Sequence, residues 1–303
     1  MSTSLATQAT NRIPYAAPLR IGTVTLRVRD LQSISRYYEH LVGLRILSSD
    51  GHTAHLGTRD STLLKLIGDP GAEPRPPGGA GLFHTAFLLP NHGQLALWTK
   101  HAVDNRFLIT GASDHAVSEA IYLSDPEGNG IEIYADRPRE EWRYAESQVK
   151  MVTEPLDVER LLASASGTWS GLPDDGVIGH VHLQIGALDT AESFYGTILG
   201  FDISCRYSGA NFFGSGGYHH QLATNAWASR GAGPRPDGAA GLVAFEILAD
   251  KSLIAPIRQR AQSAGALTAE SNSGLTLRDP WNIEVTLRTN EATKPKRTSL
   301  PPG

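Results

Sequence analysis

The chain has 303 residues, of which 40% are hydrophobic, and its formal net charge is −4. This length is enough for a large buried core and predicts two domains rather than one. Because the Lys and Arg residues are scattered and form no positively charged stripe, the sequence argues against nucleic acid as a partner.

The content of Cys and the distribution of apolar residues limit the protein further. The lone Cys205 excludes an internal disulfide and a Cys-rich zinc site. No apolar run approaches the roughly 20 residues that a bilayer span requires, and residues 1–16 lack the pattern of a secretory signal. We therefore expect a cytoplasmic protein that does not enter a membrane. Residues 1–19 are predicted to be a flexible N-terminus and residues 289–303 a disordered tail.

The chain contains an internal repeat. Residues 21–44 and residues 178–201 have the same pattern. Alternating apolar residues at the start of each segment predict a half-buried strand, and the rest predicts a helix that ends at Gly43 or Gly200. Each segment is therefore expected to form a strand followed by a helix.

A second repeat follows each copy of the first. Residues 81–87 match residues 241–247, and residues 123–132 match residues 277–284. In the second match, both copies contain Asp-Pro followed by Gly or Asn, which predicts a tight turn between two strands. These segments are therefore expected to end in a hairpin.

Together, the repeats predict an α+β fold built from β-α-β-β-β modules. We expect four of them, at about residues 20–70, 80–137, 177–228 and 240–288. Two domains of two modules, residues 20–137 and 177–288, would be joined by a partly helical linker at residues 138–176. Curved mixed sheets of this kind have concave faces, which can enclose a pocket for a small ligand.

The duplicated modules carry two motifs that identify a family. The hairpin DPEGNGIE at residues 125–132 and the strand GHVHL at residues 179–183 resemble the vicinal oxygen chelate superfamily. This superfamily includes glyoxalases, bleomycin-resistance proteins and extradiol catechol dioxygenases, and the resemblance is greatest to two-domain proteins like catechol 2,3-dioxygenase. Because its members isomerise, hydrolyse, oxidise or only bind, the fold alone does not decide the function.

The resemblance also implies a metal site. In this superfamily, the ligands lie near the start of the first strand and on the last strand of a module. The second module has His84 and Glu132 at these places, and the third has His180 and His220, whereas the first and fourth together supply only Glu284. The resemblance thus implies one working site between the second and third modules, with His84, His180 and Glu132 as metal ligands.

The same resemblance implies the chemistry of the site. Two His and one carboxylate suit non-haem Fe(II) and leave positions open for substrate and oxygen, with Mn(II) as the alternative metal. His220 would act as the acid/base residue, and Tyr122 and His115 would form hydrogen bonds to a phenolic oxygen. The expected partners are a small aromatic diol and O₂, and a homo-oligomer remains open. The predicted activity is extradiol cleavage of a catechol-like ring.

Two other functions remain open in the sequence. The chain could be a metal-dependent isomerase or lyase, although these usually place two carboxylates on the metal. It could also bind an aromatic ligand without catalysis, but that function predicts a pocket without metal ligands.

The choice of ligands also has alternatives. If the third module faced the fourth, His180, His220 and Glu284 would be the ligands, and His84 and Glu132 would have no role. His182 shares a strand face with His180 and is a substitute ligand or a neighbour of the metal site. His219 is expected to be structural.

Overall fold

The structure is a computed structural model, and it describes residues 16–146, 148–271 and 274–290. Leu19 is the first residue of a strand and is buried in the core, and Thr289 is the last residue of another strand. The predicted flexible N-terminus, residues 1–19, therefore extends one residue too far into the first strand, and the predicted tail, residues 289–303, begins one residue too early. The rest of the predicted N-terminus up to residue 15, and of the predicted tail from residue 291, lies outside the described residues.

The first half of the chain forms two β-α-β-β-β modules. The first module consists of β1 (Leu19–Val28), α1 (Leu31–Leu41), β2 (Arg45–Ser49), β3 (Thr53–Gly57) and β4 (Thr62–Gly68). The second consists of β5 (Gly81–Leu89), α2 (His92–Asp104), β6 (Gly111–Asp114), β7 (Ser118–Ser124) and β8 (Gly130–Asp136). The Asp30 side chain caps α1 by accepting the Ser33 N–H, and Gly43, with φ of 77°, ends this helical segment as predicted.

The linker and the second half follow. The linker contains a 3₁₀ turn (Arg139–Glu141), β9 (Tyr144–Ala145), β10 (Gln148–Val149), β11 (Glu154–Pro155) and α3 (Val158–Ala163). The third module consists of β12 (Val177–Gln184), α4 (Leu188–Ala191) with a π-helical continuation (Glu192–Ile198), β13 (Asp202–Tyr207), β14 (Ala210–Gly214) and β15 (Leu222–Asn225). The fourth consists of β16 (Gly241–Ala249), α5 (Lys251–Ser263), β17 (Leu267–Ser271), β18 (Gly274–Arg278) and β19 (Glu284–Thr289). The predicted α+β fold class is confirmed.

The modules form two large sheets that cross the halves of the sequence. One sheet has the order β17-β18-β19-β16-β1-β4-β3-β2 and combines the first and fourth modules. The other has the order β11-β6-β7-β8-β5-β12-β15-β14-β13 and combines the second and third. Residues 20–137 and 177–288 are thus not separate sheet units, because β5 pairs antiparallel with β12 and β1 with β16.

Side-chain contacts hold each half together where the sheets do not. The Tyr38 hydroxyl donates to Asp125 at 3.4 Å, and the Tyr195 hydroxyl donates to Asp279 at 2.6 Å. Both carboxylates also accept two backbone N–H groups within their own Asp-Pro turns. The helix of one module is therefore bound to the hairpin of the next. None of the helices in the described ranges is both long and apolar enough to cross a bilayer.

Candidate metal centre

One row of residues across the second sheet carries the predicted metal ligands. Ala86 on β5 pairs with His180 on β12 and, on its other side, with Glu132 on β8, which in turn pairs with Tyr122 on β7. His84 lies two residues before Ala86 and therefore on the same face. The small side chain of Ala86 leaves space above it, where the longer side chains on both sides meet.

The three predicted ligand atoms converge. Glu132 Oε2 is 2.8 Å from His84 Nε2 and 3.1 Å from His180 Nε2, and the two Nε2 atoms are 3.2 Å apart. Metal–ligand bonds of about 2.1 Å separate adjacent ligands by about 3.0 Å in an octahedron and by about 3.4 Å in a tetrahedron. The observed distances fit one face of an octahedron, the arrangement of a two-His, one-carboxylate triad. In the described part of the chain, it is this group that could hold a metal ion.

The protonation states of the triad also fit a metal. Burial raises the pKa of Glu132, but His180 and His84 outweigh it, and the pKa lies well below its usual range. Burial lowers the pKa of His180. The site thus offers an ionised carboxylate and a neutral imidazole, the forms that bind metals. His180 Nδ1 is buried and has no hydrogen-bond partner among the described residues, whereas most metal-bound His fix this second nitrogen.

Tyr122 and His115 form a hydrogen-bonded pair beside the triad. The Tyr122 hydroxyl is 2.6 Å from His115 Nε2, and His115 Nδ1 is 2.6 Å from the Val152 carbonyl oxygen. Because a carbonyl only accepts, Nδ1 carries the hydrogen and Nε2 accepts from Tyr122. Burial, with the charge of Glu132, raises the pKa of Tyr122 well above its usual value. Tyr122 therefore stays protonated and keeps oxygen lone pairs for a further donor.

His220 lines the same cavity, but its predicted position on a strand is wrong. It lies in the loop before β15, because a turn at Gly216 and Gly217, with φ of 63° and 73°, delays the start of that strand. The centroids of the His220 and His180 rings are 4.2 Å apart. Burial, together with the neighbouring imidazoles, lowers the pKa of His220 well below its usual value.

His219 links His220 to a carboxylate that the sequence analysis did not single out. His219 Nε2 is 2.8 Å from Asp136 Oδ1, and its Nδ1 is 2.7 Å from His220 Nδ1. When His219 donates to Asp136 through Nε2 and is neutral, its Nδ1 accepts the Nδ1–H of His220. His220 Nε2 then carries no hydrogen. Asp136 could have been noticed, because it follows Glu132 by four residues on one strand and so shares its face.

The triad lies in a cavity of about 240 Å³. His182 also lines the cavity, but its Nε2 is 3.0 Å from Asn225 Nδ2 and accepts that N–H, so it is not free for a metal. The aromatic residues Phe83, Phe212 and Trp227 form much of the remaining wall. The sequence analysis missed these three, and no pattern in the sequence marks them.

Glu284 lies in the other sheet. It pairs through β19 with Ala244 on β16, and its side chain, 40% exposed, is 4.0 Å from Arg278. Between β1 and β16, the Glu246 carboxylate accepts the Thr23 backbone N–H and pairs with Arg288. A site made of His180, His220 and Glu284 is therefore not formed.

Comparisons with known proteins identify the family of the chain. A family model described as the Glyoxalase/Bleomycin resistance protein/Dioxygenase superfamily matches residues 20–133 and 177–281. The chain belongs to this superfamily. The resemblance to the vicinal oxygen chelate proteins is thereby confirmed.

Two relatives align in sequence with this chain, one over most of its length and the other over less than half. A protein of Bacillus subtilis (strain 168), named catechol-2,3-dioxygenase, is 39% identical over 268 residues, which are 86% of this chain and 93% of the relative. Biphenyl-2,3-diol 1,2-dioxygenase 3 of Rhodococcus globerulus is 27% identical over 120 residues, or 39% of this chain and 63% of the relative.

Solved structures support the fold. A putative dioxygenase from Bacillus subtilis superposes with a TM-score of 0.59 at 16% identity, over 89% of this chain and 85% of that one. Glyoxalase I from Zea mays superposes with a TM-score of 0.54 at 15% identity, over 92% of this chain and 95% of that one. At these identities, the likeness establishes the shared fold and leaves the reaction to the site.

Proposed function

We propose that this protein is an extradiol dioxygenase, which opens the ring of a catechol-like diol at a mononuclear non-haem Fe(II) site. The observation that carries the proposal is the convergence of His84 Nε2, His180 Nε2 and Glu132 Oε2 in a cavity that also contains His220 and Tyr122. The enzyme class has separate support from the 39% identity to the Bacillus relative named catechol-2,3-dioxygenase. The product would be of the muconic semialdehyde type, with both atoms of O₂ retained.

His84, His180 and Glu132 would hold the metal. Nitrogen and carboxylate donors suit Fe(II), and Mn(II) is the alternative with the same ligand preference. Bound iron would supply the redox chemistry that allows O₂ to react with the diol, and the protein would bind, orient and exclude water. All three residues line the cavity, so a diol in the cavity could reach a metal that they held.

The Tyr122–His115 pair would remove a proton from the substrate. Both ring nitrogens of His115 are engaged by Tyr122 and Val152, so His115 would act through Tyr122 and not, as the sequence had predicted, on the phenolic oxygen itself. A substrate hydroxyl donates to the free lone pair of Tyr122, and the Tyr122 hydrogen is already directed at His115 Nε2. As the substrate proton moves to Tyr122, the Tyr122 proton moves to His115. The Val152 carbonyl, which accepts from His115 Nδ1–H, then stabilises the positive ring. This relay avoids an isolated tyrosinate, which the raised pKa of Tyr122 disfavours.

His220 would act as the acid/base residue on the other side of the cavity. When His219 donates to Asp136 and accepts the Nδ1–H of His220, the Nε2 atom of His220 would be free to take up a proton and return it. Positioned imidazoles of this kind typically contribute about 10²–10⁴-fold to a rate. A protein that only binds an aromatic ligand has no use for these proton-transfer groups. The isomerase alternative lacks a second carboxylate, because Glu284 lies in the other sheet.

The test begins with protein purified without oxygen and loaded separately with Fe(II), Mn(II) and Zn(II). Catechol is then added with O₂, and oxygen uptake and the absorbance of the ring-opened product are recorded. We expect one O₂ consumed per catechol in the Fe(II) sample and none in the Zn(II) sample. Binding of metal and catechol without oxygen uptake by the Fe(II) or Mn(II) form would reject the proposal.

A further inference from the structure

We infer that the diol this enzyme cleaves carries an uncharged, apolar ring substituent, and that catechols with a carboxylate side chain are rejected. The inference rests on the proposed ring cleavage and names the class of substrate for the same cavity.

An aromatic wall leads from the triad to the cavity mouth. The Phe83 ring centroid lies 5.2 Å from that of His84, 4.8 Å from that of His182 and 5.7 Å from that of Trp227. Exposure rises along this path, from 5% for His84 to 38% for Phe83 and 51% for Trp227. Because the two hydroxyls must face the triad, the substituents of the ring lie along this wall.

Another part of the cavity wall is also apolar. The Phe212 ring centroid is 5.0 Å from that of His220, and Phe212 packs in one hydrophobic cluster with Val117 and Met151, which line the cavity too. Aromatic and aliphatic surfaces of this kind favour ring edges and hydrocarbon groups. A substituent of the diol thus meets apolar groups on more than one side.

The charges around the cavity exclude an anionic substituent. Among the described residues, no Lys or Arg lines the cavity, and its one acidic residue is Glu132. Arg206 and Lys150 each stand next in sequence to a lining residue. Both guanidinium ends of Arg206 bind Glu192, at 2.6 and 2.8 Å, and Lys150 is exposed to solvent. The metal's charge would be offset by Glu132 and by the bound diol, so no lining side chain among the described residues supplies a cation for a carboxylate on the ring substituent.

A carboxylate bound in this cavity would lose its hydration shell without forming an ion pair with a Lys or Arg side chain. Burial of an unpaired ion is more costly than burial of a neutral polar group. Sites that leave a polar group unpaired discriminate by about 10²-fold or more in kcat/KM. We therefore expect at least about 100-fold discrimination against the carboxylate.

The experiment compares methyl 3,4-dihydroxyphenylacetate with the free acid, using the Fe(II)-loaded protein and unsubstituted catechol as the reference. Oxygen uptake gives kcat/KM, and calorimetry under argon gives the affinities. The ester should be cleaved about as well as catechol or better, and the acid at least about 100-fold more slowly than the ester. Since the ester is the larger molecule, this order cannot arise from size.

The outcomes separate the two proposals. If catechol itself is not cleaved, the proposed function fails. If catechol is cleaved and the acid reacts as well as the ester, ring cleavage stands and the inference about the substituent is overturned.

A charge placed on the wall provides an independent test. Trp227→Arg should raise the acid-to-ester ratio of kcat/KM by at least about tenfold, because it supplies the missing cation. Trp227→Gln, which removes the ring without adding charge, should raise the ratio much less than Trp227→Arg does. Tyr144→Arg, at an exposed position outside the cavity, should leave the ratio unchanged. An unchanged ratio in folded Trp227→Arg would show that substituents do not lie along this wall.

Discussion

Replacing Glu132 by Ala or Gln should weaken metal binding at least about 100-fold, whereas Glu284→Ala should leave it unchanged. Glu132 supplies the carboxylate oxygen that lies 2.8 and 3.1 Å from the two imidazole nitrogens. Without it, only the two His side chains remain to hold a dication. Mutation of a residue that only hydrogen-bonds to a metal ligand typically lowers metal affinity by about 10–100-fold. Loss of the ligand itself should therefore lower metal affinity by at least about 100-fold.

The expected change in stability follows from this loss. Metal at 100 times its Kd stabilises the folded protein by about 2.7 kcal/mol. A hundredfold higher Kd leaves only about 0.4 kcal/mol of that stabilisation. With about 2–4 °C per kcal/mol, the wild-type protein should gain about 5–10 °C in Tm on addition of Fe(II), and Glu132→Gln about 1 °C.

Thermal unfolding under argon, with metal analysis of the same samples, measures both effects. Glu284→Ala is the matched control, because it also removes one carboxylate but breaks only an exposed ion pair with Arg278, worth less than about 1 kcal/mol. Loss of metal from Glu284→Ala, with retention in Glu132→Gln, would refute the assignment of the site.

His220→Ala should keep its metal and lose about 10²–10⁴-fold in kcat, because an acid/base group is removed while the triad remains. Metal analysis and turnover check this, and a metal-free variant would instead make His220 a ligand. Asp279→Asn should remove a pH dependence of stability. Burial raises the pKa of Asp279 from 3.8 to about 6, so the folded state holds a proton that the unfolded state loses, and stability falls by about 2 kcal/mol as pH rises from about 4 to 6. Urea unfolding across this range should show a smaller fall for the variant, and an identical fall would contradict the argument. Gly179→Ala should cost about 1–3 kcal/mol, because the added Cβ would overlap the Tyr134 hydroxyl. An unchanged urea midpoint for this variant would show that the strand carrying His180 shifts to accommodate the added Cβ without loss of stability.

The sequence contained enough information to predict the modules and to single out the three residues that the structure brings together. Repetition made the modules visible, and GHVHL and DPEGNGIE marked the strand starts that place His180 and Glu132. Local patterns of this kind do not depend on contacts between distant segments. A site between the second and third modules was expected only because these modules carried the ligand residues. The pairing of β5 with β12 was not predicted, since no local pattern specifies which strands join.

Other parts of the site depend on contacts that the sequence does not display. His220 was expected on a strand, but two glycines with positive φ lengthen the loop before β15. Asp136 contacts His219, which lies 83 residues later in the sequence. Phe83 and Trp227 meet although β12 lies between β5 and β15 in the sheet. Such long-range contacts become visible only once the fold is known.

The pairing of β5 with β12 has a consequence for biosynthesis. His84 and Glu132 are translated well before His180 and His220, which lie beyond the linker. A nascent chain that ends before β12 therefore has two of the three triad residues and cannot complete the site, even if its own modules have folded. Metal capture through the full triad would then be a late event, so that the bound ion reports that both halves have been made and joined.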